Sequence, residues 1–439
     1  MNDYCQNVFD NLLIQKDSSN YRYSREMYSK STISEYIYKR IESHLTSENL
    51  LIFFLGCVVI YIIVYIFNVI SQAYFSPNIY VKELTEVGFE HIAKGEDRKL
   101  RIARAQAARR MGNKIPPPYP NGWFAIGESE DLKTCKVLAV DALGQNLCLY
   151  RGRNGKAYCV DAYCPHLGAN LAVGGTVTEN CIECPFHKWS FDETGTCVRV
   201  PGVENAPKGV SLKHWLTVEV DGAIWIWHDA EGRDPLWEVP ELPELEVWDS
   251  RGRNEFTVSA HIQEIPENGA DVAHLNSVHS LSVLELFGHH VWSANWEPGE
   301  DHTASMDLTH DYILFGRKVG HIDVKITQIG PGHVRLLLKS PVGPILVSQS
   351  VTPLGPLQQK VVHRMFSPTK NAIFAMLLVN YEAKQFARDV AIWNNKRFVS
   401  APAYVKTDKA IRAFRNWFSQ FYSEKSISFK DAHQNNLDW

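Results

Sequence analysis

The chain is poor in cysteine. Nine among 439 residues is too sparse for the disulfide framework of a small secreted scaffold. It lacks a strong charge of either sign: 45 Lys and Arg stand against 49 Asp and Glu, a formal net charge of −4. The electrostatic footprint of a nucleic-acid binder is therefore missing. There is no Gly-x-Gly-x-x-Gly turn and no plant-type four-cysteine ferredoxin spacing, so the chain is not expected to take hydride from a nicotinamide cofactor by itself. Internal repeats, low-complexity tracts and Asn-x-Ser/Thr sequons are absent too, and the last of these disfavours a lumenal bulk. With 45% hydrophobic and 21% charged residues, the chain as a whole reads as globular.

What it does have is one long apolar run. Residues 50–67, LLIFFLGCVVIYIIVYIF, carry no charge and would span about 27 Å as a helix, close to a bilayer core. Some fifty residues precede the run and no small-residue cleavage site follows, which argues against a signal peptide. A single membrane anchor is expected. Lys30, Lys39 and Arg40 flank it before and only Lys82 lies equally close after, so the nearest charges lean towards a cytoplasmic N-terminus. Residues 94–114 hold eight Lys/Arg against two acids, readable either as a helix on an anionic cytoplasmic surface or as a solvated charged helix. This segment and the missing sequons favour a main body that faces the cytosol.

Residues 115–120, IPPPYP, read as a stiff linker. Beyond them the pattern is β: residues 137–150 and 157–162 flank Asn154-Gly155, and residues 216–220 and 223–227 alternate around Asp221-Gly222, both hairpin signals. Further strands are expected at 256–262 and 334–339, and helices at 371–397 and 408–421. The chain divides into an N-terminal segment (1–48), the anchor (49–70), a basic juxtamembrane segment with the Pro-rich linker (71–118), a small β domain (119–248) and a larger α+β domain (249–439).

Two constellations carry chemistry. The first is Cys164-Pro-His166, then Cys184-Pro-Phe-His187. Two thiolates on one iron of a [2Fe–2S] cluster and two neutral imidazoles on the other remove negative charge and raise the potential above that of an all-cysteine ferredoxin. A zinc site also accepts Cys2His2, but here His166 and His187 each lie beside a cysteine loop rather than together in an H-x3–5-H pair, and Cys181-x-x-Cys184 has no matching second pair. Cys181 is expected to be a bystander. The second is ENGADVAHLNSVH, residues 267–279. Asp271 and His274 would share a helix face, whereas His274 and His279, five apart, need the helix to end or bend before both can point inward. Two histidines and a carboxylate leave open positions on Fe(II) where O2 and substrate can meet. Asp389 is an acid on an otherwise apolar helix face with Phe386, Val390 and Trp393; a surface pairing with Arg388 or Lys384 is its ordinary alternative. His289-His290 reads as pocket lining or surface, and residues 281–287 and 372–379 as apolar stretches for core or pocket.

CPHLGANL…CPFHKWSF resembles a Rieske domain. Ala169 and Phe186 stand where respiratory Rieske proteins carry two further cysteines, which points to the oxygenase branch. The string D-x-x-H-x4-H downstream resembles the motif of Rieske non-haem iron oxygenases, and over nearly all the chain beyond the first forty-odd residues the arrangement is similar to the Neverland-type cholesterol 7-desaturases. The resemblance implies an all-β Rieske domain followed by an antiparallel-sheet catalytic domain with a long C-terminal helix (helix-grip, START-like), an α+β chain overall. Cys164, His166, Cys184 and His187 would hold the cluster, and His274, His279 and Asp389 the mononuclear iron. Asp271 would bridge redox centres of neighbouring subunits in a homotrimer, in contact with His187 or His166, and Asn268 would lie near the iron without binding it. The implied reaction takes two hydrogens from a sterol, cholesterol to 7-dehydrocholesterol, with O2 as co-substrate and electrons from NAD(P)H through a separate reductase or ferredoxin. A sterol or 3-ketosteroid hydroxylase is the sibling activity. The anchor suggests a single-pass protein of the endoplasmic reticulum that draws its substrate from the membrane.

Overall fold

The computed structural model describes residues 47–75, 77–107, 109, 115–279 and 288–435, together with Glu35 and Lys39. Two units are distinct, up to Phe67 and from Asn68 onward. The first consists, among the described residues, chiefly of the helix α1 (Ser47–Tyr74). Within it Glu48–Ser71 is long and apolar enough to cross a membrane, with mean hydropathy 3.0 and none of it buried. The expected apolar stretch 281–287 lies outside the described residues.

In the second unit, the segment between anchor and proline linker is more than a spacer. Asn78–Lys82 forms strand β1, and Arg98–Ala107 forms helix α2. Ile102 is buried, and Arg98 and Arg101 donate to backbone carbonyls of Thr85, Phe89 and Ala93. Arg109 reaches the carbonyls of Ser259, Trp393 and Lys396. This basic segment is thus neither wholly solvated nor wholly free for lipid: three of its arginines bind the fold.

The β domain has a four-stranded sheet containing Val137–Ala142, Gln145–Arg151, Ala157–Asp161 and His214–Trp215, and a three-stranded sheet of Gly122–Glu128, Thr217–Val220 and Ala223–His228. Both expected hairpins form. The expected single strand over 137–150 is instead two, reversed at Leu143 and Gly144, both in the left-handed region at φ 56° and 69°. A small third sheet, from Thr176–Thr178 to Cys197–Arg199, carries the second cysteine loop.

The catalytic domain is an eight-stranded sheet. Its other strands are β2 (Asp249–Val258), β3 (Gly288–Pro298), β4 (Thr303–Leu314), β5 (Arg317–Ile329), β6 (His333–Ser340), β7 (Gly343–Gly355) and β8 (Gln358–Ser367), in the order β1-β2-β8-β7-β6-β5-β4-β3. Only β1 is parallel to its neighbour. Between β2 and β3 come two short helices, α3 (Glu264–Ala270) and α4 (Val272–Val278), and after β8 the long α5 (Ala372–Trp393) and α6 (Lys409–Phe418). Strand β2 ends at Val258, four residues short of the expected end, because Ala260–Ile262 turns into α3.

Helix α5 grips the sheet with a stripe of Ala375, Val379, Ala383, Phe386, Val390 and Trp393, all buried at helical spacing. The sheets of the two domains share one core, in which Phe124, Leu147 and Ile224 join Phe256, Val351 and Phe386. Two buried ion pairs fix the joint. Arg335 on β6 forks onto Asp221 at the hairpin tip, 2.7 and 2.8 Å, and Arg364 on β8 forks onto Glu128.

Candidate metal centres

The two cysteine loops are built alike. In each, the cysteine N–H donates to the carbonyl five residues on (Cys164 to Ala169, 2.9 Å; Cys184 to Trp189, 2.8 Å) and its carbonyl accepts from the N–H four residues on (Gly168, 2.9 Å; Lys188, 3.2 Å). Closing so tight a loop takes a left-handed residue, Gly168 at φ 74° and Lys188 at φ 61°. The thiols of Cys164 and Cys184 are buried, whereas His166 is exposed and His187 half-buried, their ring centres 4.7 Å apart. Burial pushes the Cys164 thiol up to about 11, with the facing Cys184 adding to the effect. As a bare thiol Cys164 would stay protonated and inert, and a bound cation is what converts it to a ligand. The four side chains do not converge on a point as they would around one zinc ion, since only one such metal-ligating group exists among the described residues and it lies elsewhere. Thiols inside and imidazoles outside fit a [2Fe–2S] cluster whose histidine-bound iron is the outer one. Cys181 lies on the strand Cys181–Glu183, outside both loops.

The converging group is His274, His279 and Asp389, with their ligand atoms within 4.8 Å of one another. The local backbone explains the odd spacing. Asp271 breaks the helix between α3 and α4 at φ −103°, ψ 85°, so it does not continue one helical face with His274 as the sequence suggests; instead its Oδ1 caps α4 by accepting from the His274 N–H at 3.1 Å. Helix α4 then ends at Val278 and His279 follows as its C-cap, so both rings turn to one side with their centres 5.4 Å apart. The His274 Nδ1 faces the Asp271 carbonyl, and the His279 Nδ1 faces Gln385 Oε1 at 3.2 Å. Each Nδ1 therefore carries the hydrogen, and each Nε2 presents its lone pair. Those atoms look at Asp389, whose Oδ2 is 3.1 Å from His279 Nε2 and whose Oδ1 is 3.9 Å from His274 Nε2. Asp389 is buried and its Oδ1 has no hydrogen-bond partner, the mark of a carboxylate waiting for a cation. It does not pair with Arg388, which donates to the Val278 carbonyl at 3.0 Å. Two imidazoles and a carboxylate suit Fe(II) with open positions.

The three residues form the wall of a cavity of about 310 Å³ between α5 and the sheet. Its lining is mostly apolar and includes Trp292, Met306, Leu336, Val347 and Phe386, and Asn268 also borders it. Of the stretch 372–379, Leu378 lines the cavity, while Ala372, Ala375, Met376 and Val379 are core. His289 is exposed; His290 is buried, paired with His310 at 2.6 Å and with the Tyr381 hydroxyl at 3.1 Å. The sequence reading passed over Gln385, Glu382 and Tyr381. Their signal was available: they share the α5 face of Asp389 at steps of three and four residues.

Comparisons with known proteins agree with this architecture. Residues 122–215 match the Rieske [2Fe-2S] domain family, and residues 226–422 match the 3-ketosteroid 9alpha-hydroxylase C-terminal domain. A cholesterol 7-desaturase of Bombyx mori is 64% identical over 85% of this chain and 85% of that protein. One of Drosophila melanogaster is 42% identical over 74% of this chain and 80% of its own. Among solved structures, Pseudomonas putida CBB5 NdmA with caffeine superposes with TM-score 0.54 at 18% identity, covering 68% of this chain and 89% of that one, a likeness of fold. With both domains matched and this identity sustained along most of its length, the chain belongs to the cholesterol 7-desaturase family of Rieske oxygenases.

Proposed function

We propose that the chain desaturates cholesterol at C7–C8, giving 7-dehydrocholesterol. The substrate gives up two hydrogens, that is two electrons and two protons; a separate reductase or ferredoxin delivers two more electrons from NAD(P)H; with two further protons the four electrons reduce O2 to two waters. The observation that carries this reading is the convergence of His274, His279 and Asp389 on the wall of an otherwise greasy cavity, in a chain that also holds a Rieske domain.

His274, His279 and Asp389 would hold the iron that supplies the O2 chemistry, and Cys164, His166, Cys184 and His187 would hold the cluster that supplies its electrons. The chain's own part is positioning. Asp271 and Gln385 hold the imidazoles in the metal-binding tautomer. Asp389 brings the negative charge that balances a ferrous ion, and the apolar walls keep water from the reacting carbons. By resemblance, Asp271 also links the cluster of one subunit to the iron of the next in a homotrimer, and Asn268 shapes the iron's surroundings without binding it. Helix α1 would hold the enzyme in the endoplasmic reticulum membrane as a single span, catalytic part in the cytosol, with the sterol arriving from the bilayer.

The test is turnover of the full chain purified without oxygen in detergent, then given cholesterol, O2, NAD(P)H and a generic reductase, with mass spectrometry of the product. A product lighter by two hydrogens with diene ultraviolet absorption is expected. One oxygen heavier would make it a sterol hydroxylase, the sibling favoured by the match at residues 226–422. Unchanged cholesterol with both metal sites loaded and the cluster reduced would overturn the sterol assignment.

A further inference from the structure

The cavity is not uniformly greasy. Across the sheet, Asn254, His363, Gln349, Val334 and Gln328 stand opposite one another on β2, β8, β7, β6 and β5. Two residues along the strands on one side, the same row reads Met365, Val347, Leu336 and Ile326; on the other it reads Phe256, Val361 and Val351. A row polar at four of its five positions, set between apolar rows, is costly in a core unless its groups find partners.

At one end of that stripe Glu382 comes down from α5. It lines the cavity, with 26% of its side chain left uncovered. Its Oε2 accepts from Asn254 Nδ2, and its Oε1 lies 3.3 Å from His363 Nδ1. Asn254 Oδ1 lies 2.8 Å from the same His363 Nδ1. That nitrogen carries the ring hydrogen, so His363 Nε2 is left as an acceptor. Burial pushes the Glu382 carboxyl up to about 8, against the bond from Asn254 and with the help of the Asp389 charge. At neutral pH it keeps its proton and has an O–H to donate. Burial likewise pushes His363 down to about 3, so its ring is neutral. A hydroxyl needs one donor and one acceptor, and this pair offers both.

Position matches chemistry. Glu382 and Asp389 are seven residues apart on one helix, about 10 Å along its axis. In cholesterol the one hydroxyl is on C3 of ring A, and C7 and C8 belong to the adjoining ring B. We propose that Glu382, supported by Asn254 and His363, is the subsite for the sterol's C3 hydroxyl, anchoring ring A two helical turns from the iron ligands so that ring B faces them. This deepens the desaturase reading and rests on it.

The test is equilibrium binding to the full chain in detergent micelles, metal sites loaded and oxygen excluded, of cholesterol and of cholest-5-ene, the same skeleton without the hydroxyl. The expected result is cholesterol binding at least about tenfold tighter, as one buried hydrogen-bonded hydroxyl provides. Glu382→Leu should abolish that preference with the iron retained, and should raise KM more than it lowers kcat. Glu382→Gln, whose amide N–H replaces the acid O–H, should keep most of it. Equal binding of the two sterols by the unmodified enzyme, with cholesterol still converted, would overturn the subsite alone; so would a preference unchanged in Glu382→Leu. If neither sterol binds, the subsite and the desaturase reading fall together. Should the leucine variant not fold, the two-ligand comparison on the unmodified enzyme and on Glu382→Gln still decides.

Discussion

The imidazole of His166 lies flat on the indole of Trp189, ring centres 4.4 Å apart and planes 9° from parallel. Each ring comes from a different cysteine loop, so the stack clamps the two loops together at their open end. Trp189→Ala frees His166 to turn away from the cluster. The purified variant should hold less [2Fe–2S] cluster, read from its visible absorption, while Trp189→Phe restores most of it.

Asp389 is the cavity's unsatisfied carboxylate. Asp389→Ala should lose the mononuclear iron and all turnover yet keep the cluster spectrum unchanged, since Asp389 belongs to the other group of candidate ligands. Metal analysis beside cluster absorption separates the two sites. Equal loss of both would mean that Asp389 holds the fold together rather than the iron.

Gln385 orients His279 without meeting the iron itself. Replacement by Leu leaves that imidazole free to turn or to change tautomer. Iron affinity, titrated with Fe(II) under anaerobic conditions, should fall about 10–100-fold.

Asp271 has two jobs that substitution can separate. Its cap on α4 contributes about 1 kcal/mol to helix stability, and its charge is what the proposed bridge between subunits needs. Asp271→Ala should be modestly less stable, with both metals loaded and turnover stopped. Asp271→Asn keeps a capping oxygen, so it should melt like the parent and still fail to turn over. Normal turnover in either variant would remove the bridging role.

The joint between domains has a pH signature. Burial alone would raise the Asp221 pKa; the bonds from His333 and Arg335 outweigh it and hold the carboxyl well below its ordinary range. Burial lowers His333, so the ring donates as a neutral imidazole and Arg335 supplies the charge. A carboxyl depressed in the folded state adds stability above its unfolded pKa and loses it as pH falls. Asp221→Asn should therefore cost about 3–5 kcal/mol near neutrality by stranding a buried guanidinium. In denaturant titrations the gap from the parent should narrow below about pH 4.

Much of this was written in local sequence. The paired tight loops that carry Cys164, His166, Cys184 and His187 were legible because such a loop is short and its residue spacing is local. His274 and His279 were legible because five-residue spacing demands a helix end, and Val278 is where α4 ends. The turn at Leu143-Gly144 was missed because a lone glycine after a leucine lacks the Asn-Gly or Asp-Gly signal of a tight hairpin. The polar partners were hidden for a different reason. Gln385 lies 106 residues from His279, and Asn254 lies 128 from Glu382; pairings this remote exist only once the sheet has brought β2 beneath α5. Likewise nothing in the sequence NIYVK announces a parallel edge strand, because its partner β2 lies some 170 residues downstream.

The core shared by the two domains, locked by Asp221 with Arg335 and Glu128 with Arg364, also governs how electrons can enter. A cluster built into the same rigid body as its catalytic sheet cannot swing between donor and acceptor on a tether. Delivery then becomes a docking problem for the electron donor, and the rate of electron entry is expected to depend on ionic strength and surface fit rather than on any reach of the domain itself.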